Sequence, residues 1–456
     1  MLPAKICSEF TAILPAERFY TDPVDCYAYS YDNTRKIFPP DAVAFPLDSE
    51  EVQRLLGLCN KHSIAVTARG RGTGTAGGSL PEQGGLVLSL ERMRKMIAID
   101  APNRVIVAQP GVLNEEVQRA ARPYGLFWPP DPSSAAYSSI GGNLATSAGG
   151  PHAIKYGTTR DNVLGMKAVT ANGALLETGC YTSKGVVGYD LTRLLIGSEG
   201  TLAVIVEATL KLVPLPAAVG GVTAFYRDVT SCAKAVSAIM AQPIWPSALE
   251  FLDTGALVLL RGRYPDMLPA DARAMLMIEV DGSAHSIAAD SEAMIAACGN
   301  SGLLHAKAVA DAAALWAARK ALSPLLRDIA PKKINEDIVV PVSRLADLLE
   351  GLAALSERHG VANVNFGHAG NGNIHVNLLV DPHNVEQMRQ AEACLDQVFD
   401  LVLALNGTLS GEHGVGSEKR AFIAREINPA TLSLMKAIKR TFDPNNILNP
   451  GKLFPA

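Results

Sequence analysis

Hydrophobic residues recur with two different periods along this chain. Across residues 48–62 the apolar positions Val52, Leu55, Leu56 and Cys59 follow helical spacing, with Ser49 as the candidate N-cap. The run at 64–68 then reads as a short buried strand. Further strands are expected at 85–90, 96–100 and 104–108, and a helix at 113–124. Strand-like residues 163–170 and 174–177 flank Ala171-Asn-Gly173, a hairpin signal; Gly197-Ser-Glu-Gly-Thr201 then leads into residues 202–212, and Pro214 and Pro216 mark a boundary. Beyond about residue 216 the pattern changes to longer alanine- and leucine-rich helices, at 231–240, 285–298, 311–326, 342–359 and 385–405, separated by β-rich pieces. This order predicts an α+β chain rather than a regular βαβ series.

Three stretches follow neither period. Arg69-Gly-Arg-Gly-Thr-Gly-Thr-Ala-Gly-Gly78 is a loop. Residues 128–150 are dominated by Pro, Ser, Gly and Asn, and so long an irregular segment inside a domain is more often a binding loop than a linker. The tail from Phe442 to Gly451 is built of turn formers with few packing residues, so it is ordered only if it docks on something.

Composition narrows the picture. With 456 residues, 48% of them hydrophobic, the chain exceeds one ordinary core and has room for a large buried cofactor. Its 41 basic and 45 acidic residues give a net charge of -4 without a basic block, so nucleic acid is not an expected partner. Seven cysteines, at 7, 26, 59, 180, 232, 298 and 394, form no CxxC pair, which argues against an iron–sulfur cluster within the chain. No signal-peptide pattern and no apolar run of roughly 18 residues is seen, and a cytoplasmic protein is expected.

Residues Gly72-Thr-Gly-Thr-Ala-Gly77 satisfy GxGxxG after a strand, the fingerprint of dinucleotide folds. That fingerprint should open a helix, yet Gly78-Ser-Leu-Pro81 follows and stops one from forming. A run of unhindered amides can instead bind phosphate as a nest. Together with Gln109-Pro-Gly-Val112, Pro129-Pro-Asp-Pro-Ser-Ser134, Ile140-Gly-Gly-Asn143, Gly149-Gly-Pro151, Tyr156-Gly157 and Gly197-Ser-Glu-Gly-Thr-Leu202, this loop resembles the ordered motifs of the FAD domain of the vanillyl-alcohol oxidase and para-cresol methylhydroxylase (PCMH) superfamily. The resemblance implies FAD contacts from Arg69, Gly70, Arg71, Gly72, Thr73 and Gly74 around the pyrophosphate. It also implies contacts from Pro110, Gly111, Pro132, Ser133, Gly141, Gly142, Asn143, Ala148, Gly149, Gly150, Ile205 and Asn449 along the rest of the cofactor. Members with covalent flavin carry a histidine in the first loop; Thr73 and Thr75 stand there instead, so the FAD is expected to be non-covalent.

The second half holds the chemistry-bearing histidines. Gly367-His-Ala-Gly-Asn-Gly-Asn-Ile-His-Val-Asn377 places two histidines around a glycine-rich turn, with His375 and Asn377 on one face of the strand that leaves it. Ser410-Gly-Glu-His-Gly-Val-Gly416 adds a carboxylate and a third histidine. Imidazoles plus a carboxylate suit zinc, manganese or iron, with positions left open for substrate. These motifs resemble those of the D-lactate dehydrogenase, glycolate oxidase flavin-subunit and D-2-hydroxyglutarate dehydrogenase group. The resemblance implies His368, His375 and Glu412 as ligands of a divalent metal, zinc foremost, Asn377 at the metal or substrate, and His413 as the general base. Arg319, in Trp316-Ala-Ala-Arg319 with Ser323 a helical turn later, matches an arginine that grips the substrate carboxylate; a solvated helix arginine is the competing reading. Where hydroxyglutarate members carry a lysine, this chain has Asn335, which weakens the case for a second substrate carboxylate, and Lys333 is the candidate replacement.

The resemblance implies a PCMH-type FAD domain at 1–215, a substrate (cap) domain with a helix-flanked antiparallel sheet at 216–415, and a segment at 416–456 that returns to the FAD domain. The implied reaction oxidises a small D-2-hydroxy acid, D-lactate or glycolate foremost, with the C2 hydride passing to flavin N5. The acceptor would then be external: an iron–sulfur subunit, an electron-transferring protein or a quinone pool. A partner subunit could hold the chain at a membrane periphery, and a homodimer is compatible. The competing reading is a flavin-bearing electron-transfer subunit active only with an iron–sulfur partner.

Overall fold

The computed structural model describes residues 2–264, 268–309 and 312–455. The chain divides into two units: Met1–Gly149 with Gly157–Leu215 and Glu412–Ala456, and Gly150–Tyr156 with Pro216–Gly411.

In the first unit, Phe19–Tyr20 (β1), Ala42–Ala44 (β2), Val66–Arg69 (β3) and Leu86–Ser89 (β4) form a sheet in the order β1-β2-β4-β3. Its apolar face packs on the helix Ser49–His62 through Val52, Leu55, Leu56 and Cys59, the four positions read from helical spacing. The N-cap is Asp48 rather than Ser49, because its carboxylate accepts from the Glu51 amide at 2.9 Å. Met96–Asp100 (β5), Val105–Ala108 (β6), Leu126–Phe127 (β7), Val163–Val169 (β8), Leu175–Gly179 (β9), Val204–Lys211 (β10) and Val213–Pro214 (β11) complete the strands of this unit. β7 and β11 pair with each other, and the rest form an antiparallel sheet in the order β5-β6-β10-β8-β9. The expected hairpin is β8–β9, closed where the Gly173 amide donates to Thr170 O at 2.9 Å.

Two elements differ from the reading of the sequence. Residues 128–150, expected to be irregular, contain the helix Ile140–Thr146. Its paired glycines have low helix propensity and hid it, but a Cβ at Gly141 would stand 2.6 Å from Pro110 Cβ, so close packing requires the glycine. The tail is preceded by the helix Pro429–Phe442, capped by Asn428. The tail itself docks along β3, where the Val66 amide donates to Ile447 O and the Asn449 amide to Val66 O, both at 2.7 Å.

The second unit is one antiparallel sheet of Ala218–Tyr226 (β12), Ala248–Leu252 (β13), Ala274–Gly282 (β14), Leu303–Val309 (β15), Lys332–Val339 (β16), Asn363–His368 (β17) and Asn373–Val380 (β18), in the order β15-β12-β14-β13-β17-β18-β16. Among its helices are Val229–Met240, Ile287–Ala297, Ala312–Leu325, Leu345–His359 and Val385–Ala404. The expected start of the third of these, Asp311, lies outside the described residues. Residues Gly150–Tyr156, grouped by sequence with the first domain, belong here because Lys155 and the Tyr156 hydroxyl both bind Asp281 of β14. The second boundary falls after Gly411, a few residues before the expected 415.

Candidate functional site

Cross-strand register gathers the polar side chains on one face of the second unit's sheet. Glu250 of β13 stands opposite His368 of β17, Phe366 opposite His375, and His375 and Asn377 of β18 opposite Asp337 and Asn335 of β16. Directly opposed residues of an antiparallel pair point the same way, so these groups line a single surface. The rings of His368 and His375 meet edge to face with centroids 5.2 Å apart.

Glu412 joins them through the turn that follows β18 and its helix. The amide of Gly411, the residue just before it, donates to an Asp337 carboxylate oxygen at 2.9 Å, and the Ser410 hydroxyl approaches the same carboxylate at 3.2 Å. Among the described residues, ligand atoms of His368, His375 and Glu412 lie within 4.8 Å of one another, a separation one cation can span. The three ligands expected from the sequence are therefore brought together. Two imidazole nitrogens and one carboxylate form a donor set suited to a divalent transition metal.

Glu250 was not singled out by the sequence reading. Its side chain is fully enclosed, with Oε1 2.5 Å from His368 Nδ1 and Oε2 accepting from Arg319 Nε at 2.6 Å. Burial opposes its ionisation, but the facing His368 and Arg319 outweigh that and hold the carboxyl below the usual carboxylate range. The Arg319 guanidinium also lies over the Phe366 ring, 4.5 Å from its centroid. Arg319 is thus no solvated helix residue. A lone acid in the otherwise apolar strand Ala-Leu-Glu-Phe-Leu was the available signal, since a buried carboxylate needs partners. Glu279 of β14 accepts from His152 at 2.9 Å, from the Ser247 hydroxyl at 2.9 Å and from Trp316 Nε1 at 2.8 Å.

Asn377, expected at the metal or substrate, sits beside His375 on β18. It is wholly buried, its amide donates to the Val364 and His375 carbonyls, and its oxygen accepts from Asn335 at 2.7 Å. Those bonds make it a brace between strands. Lys333 donates to the Ser323 hydroxyl at 2.7 Å.

In the first unit, His413 follows Glu412 in a segment fixed by Glu199, whose carboxylate accepts from the Val415 and Gly416 amides at 2.7 and 2.8 Å. Gly414 has φ +86, and a Cβ there would stand 2.8 Å from Glu199 Oε1. Among the described residues, the amides of Gly70 to Gly74 find no acceptor in the protein, which is compatible with an anion-binding nest. The side chains of Arg69 and Arg71 turn to protein partners, Tyr31 O and Glu91. The groups of this loop that remain open are thus backbone amides. Pro110, Gly111, Asn143, Ala148, Gly149 and Ile205 are buried, Gly141, Gly142 and Pro132 half-buried, and Ser133 exposed. Gly150 belongs to the second unit.

Residues 215–453 match the family described as "FAD linked oxidases, C-terminal domain", and residues 40–179 match "FAD binding domain". The chain belongs to the FAD-linked oxidases. The glycolate oxidase subunit GlcD of Bacillus subtilis (strain 168) is 38% identical over 100% of this chain and 97% of its own length. The D-2-hydroxyglutarate dehydrogenase of Stutzerimonas stutzeri (strain A1501) is 33% identical over the full length of both. Among solved structures, p-cresol methylhydroxylase with substrate bound superposes with a TM-score of 0.80 over 98% of this chain and 96% of its own, at 18% identity, a likeness of fold.

As an FAD-linked oxidase the chain needs a dinucleotide cradle, and its first unit fits one. Besides the open amides of Gly70 to Gly74, buried polar atoms without a hydrogen-bond partner among the described residues of this unit include the Thr75 hydroxyl, the Ser89 hydroxyl and the Asn449 side-chain oxygen. Buried polar atoms are rarely left alone without a ligand or water to satisfy them.

Proposed function

We propose that this FAD-linked oxidoreductase oxidises a small D-2-hydroxy acid, glycolate or D-lactate foremost, to the 2-oxo acid. The observation that carries the reading is the convergence of His368, His375 and Glu412 on a surface where Glu250 ties His368 to Arg319. A divalent cation held by those three residues, zinc foremost, would supply Lewis-acid polarisation of the substrate hydroxyl, and FAD, held non-covalently, a two-electron acceptor. Arg319 binds the substrate carboxylate through its guanidinium. The His413 imidazole takes the hydroxyl proton. The C2 hydrogen leaves with its bonding pair and the C–O bond becomes a carbonyl.

Stopped-flow bleaching of the flavin by paired D- and L-2-hydroxy acids tests this reading. Fast bleaching by a D-acid, abolished when a chelator strips the metal, is expected. His413→Asn should slow bleaching about a hundredfold while metal content stays near the wild-type value, as for loss of a general base. Bleaching by neither enantiomer of any short hydroxy acid would end the proposal.

The Bacillus subtilis relative is a glycolate oxidase subunit, which favours a second reading in which the chain works only inside a complex; the partner we propose for that reading carries iron–sulfur clusters. Rapid dye reduction by the isolated chain distinguishes the first from the second.

A further inference from the structure

We propose that Glu250 is a positioning residue that presets both halves of the hydroxy-acid site, aiming His368 at the metal and Arg319 at the substrate carboxylate. The inference rests on the function proposed above and extends it to a residue outside the ligand and base set. Glu250 is fully enclosed on β13, directly across from His368. Its two oxygens are divided between two partners, Oε1 to His368 Nδ1 at 2.5 Å and Oε2 to Arg319 Nε at 2.6 Å.

A carboxylate only accepts hydrogen bonds, so His368 must carry its hydrogen on Nδ1. That leaves Nε2 with the lone pair a cation binds, the arrangement by which carboxylates outside the coordination sphere orient metal-bound imidazoles. The same carboxylate fixes Arg319. Its Nε is spent on Glu250 and its plane lies over Phe366, which together set the rotation of the guanidinium. Among the described residues its two Nη groups make no hydrogen bond, although the side chain is only 12% exposed. Four N–H donors held in a fixed plane without protein acceptors match the two oxygens of a carboxylate. One buried side chain therefore sets the spacing between the cation and the carboxylate anchor, the two features that a 2-hydroxy acid presents on adjacent carbons.

Both partners of Glu250 are donors, which makes substitution diagnostic. A glutamine offers one acceptor oxygen and turns N–H groups toward the other donor, so it can serve His368 or Arg319 but not both. The experiment compares wild type, Glu250→Gln and Glu250→Asp, each purified with its FAD. Zinc affinity is read by competition with a chromogenic chelator, KM and kcat with D-lactate and glycolate by dye reduction, and integrity by flavin content and melting temperature. For Glu250→Gln we expect zinc affinity to fall by about ten- to a hundredfold and KM to rise at least as steeply as kcat falls, with flavin content kept. Glu250→Asp keeps two acceptors and should fall between; if Glu250→Gln does not fold, this variant carries the test. Unchanged zinc affinity with unchanged KM overturns the inference, and loss of zinc with an unaltered KM overturns the claim that one residue serves both halves. A wild-type chain that neither takes up zinc nor has its flavin bleached by hydroxy acids sinks the proposed function instead, a distinguishable result.

Discussion

Glu199 lies enclosed in Gly197-Ser-Glu-Gly-Thr201 and holds the backbone just beyond His413 with both of its oxygens. Burial pushes its carboxyl up to about 7, against the lowering effect of the Val415 and Gly416 amides. A pKa raised in the folded state means that the native chain binds more protons than the unfolded chain between about 4.5 and 7. The stability Glu199 contributes is then full below the unfolded value and is lost as pH rises through the folded one, by up to about 3 kcal/mol. Glu199→Gln cannot ionise. Its stability relative to wild type should therefore rise as pH goes from about 4.5 to 7, a trend readable from paired melting curves, and a flat difference would refute the assignment. The glycines and histidines around such residues were legible in the sequence because they form short motifs. Glu199 lay inside one of those motifs, yet nothing local said which backbone it would hold, since its partners are more than two hundred residues away.

Elements with a regular period were read almost as they are. The helix Ser49–His62, the hairpin β8–β9 and the antiparallel sheet of the second unit all follow from spacing or from the resemblance. What escaped were elements that depend on distant partners. The helix Ile140–Thr146 contains two glycines that spacing counts against, and the helix Pro429–Phe442 precedes a tail whose order comes from β3. The tail makes a prediction at this scale. Asn449 has φ +42 and donates to the carbonyls of Gly78 and Glu199 at 2.7 and 2.8 Å, while its oxygen is left without a protein partner. Asn449→Ala removes both donors, leaves two carbonyls short of a bond and strains a left-handed position, at a cost of roughly 1–3 kcal/mol. We expect a lower melting temperature and faster FAD loss on dilution. Wild-type FAD retention in this variant would show that the tail is no part of the cradle.

For the whole molecule, the proposed oxidation requires a route for the two electrons that the substrate gives up. The cysteines at 7, 26, 59, 180, 232, 298 and 394 are all free thiols, five of them buried, and none is among the grouped metal-binding side chains of the described residues. The GxGxxG at Gly72 to Gly77 opens no helix and so lacks the geometry of a nicotinamide site. No described helix is long and apolar enough to cross a membrane. If the proposed hydroxy-acid oxidation holds, the reduced flavin needs an acceptor, and we expect a protein carrying iron–sulfur clusters, directly or on the way to a quinone pool. Three assays on the purified chain separate the alternatives. With an artificial dye, turnover should be fast; with air alone it should be slow; and added nicotinamide nucleotide should not be reduced. Hydrogen peroxide formed in air at the dye-linked rate would make dioxygen the acceptor and remove the need for a partner, because the flavin would then be reoxidised as fast as the hydroxy acid reduces it.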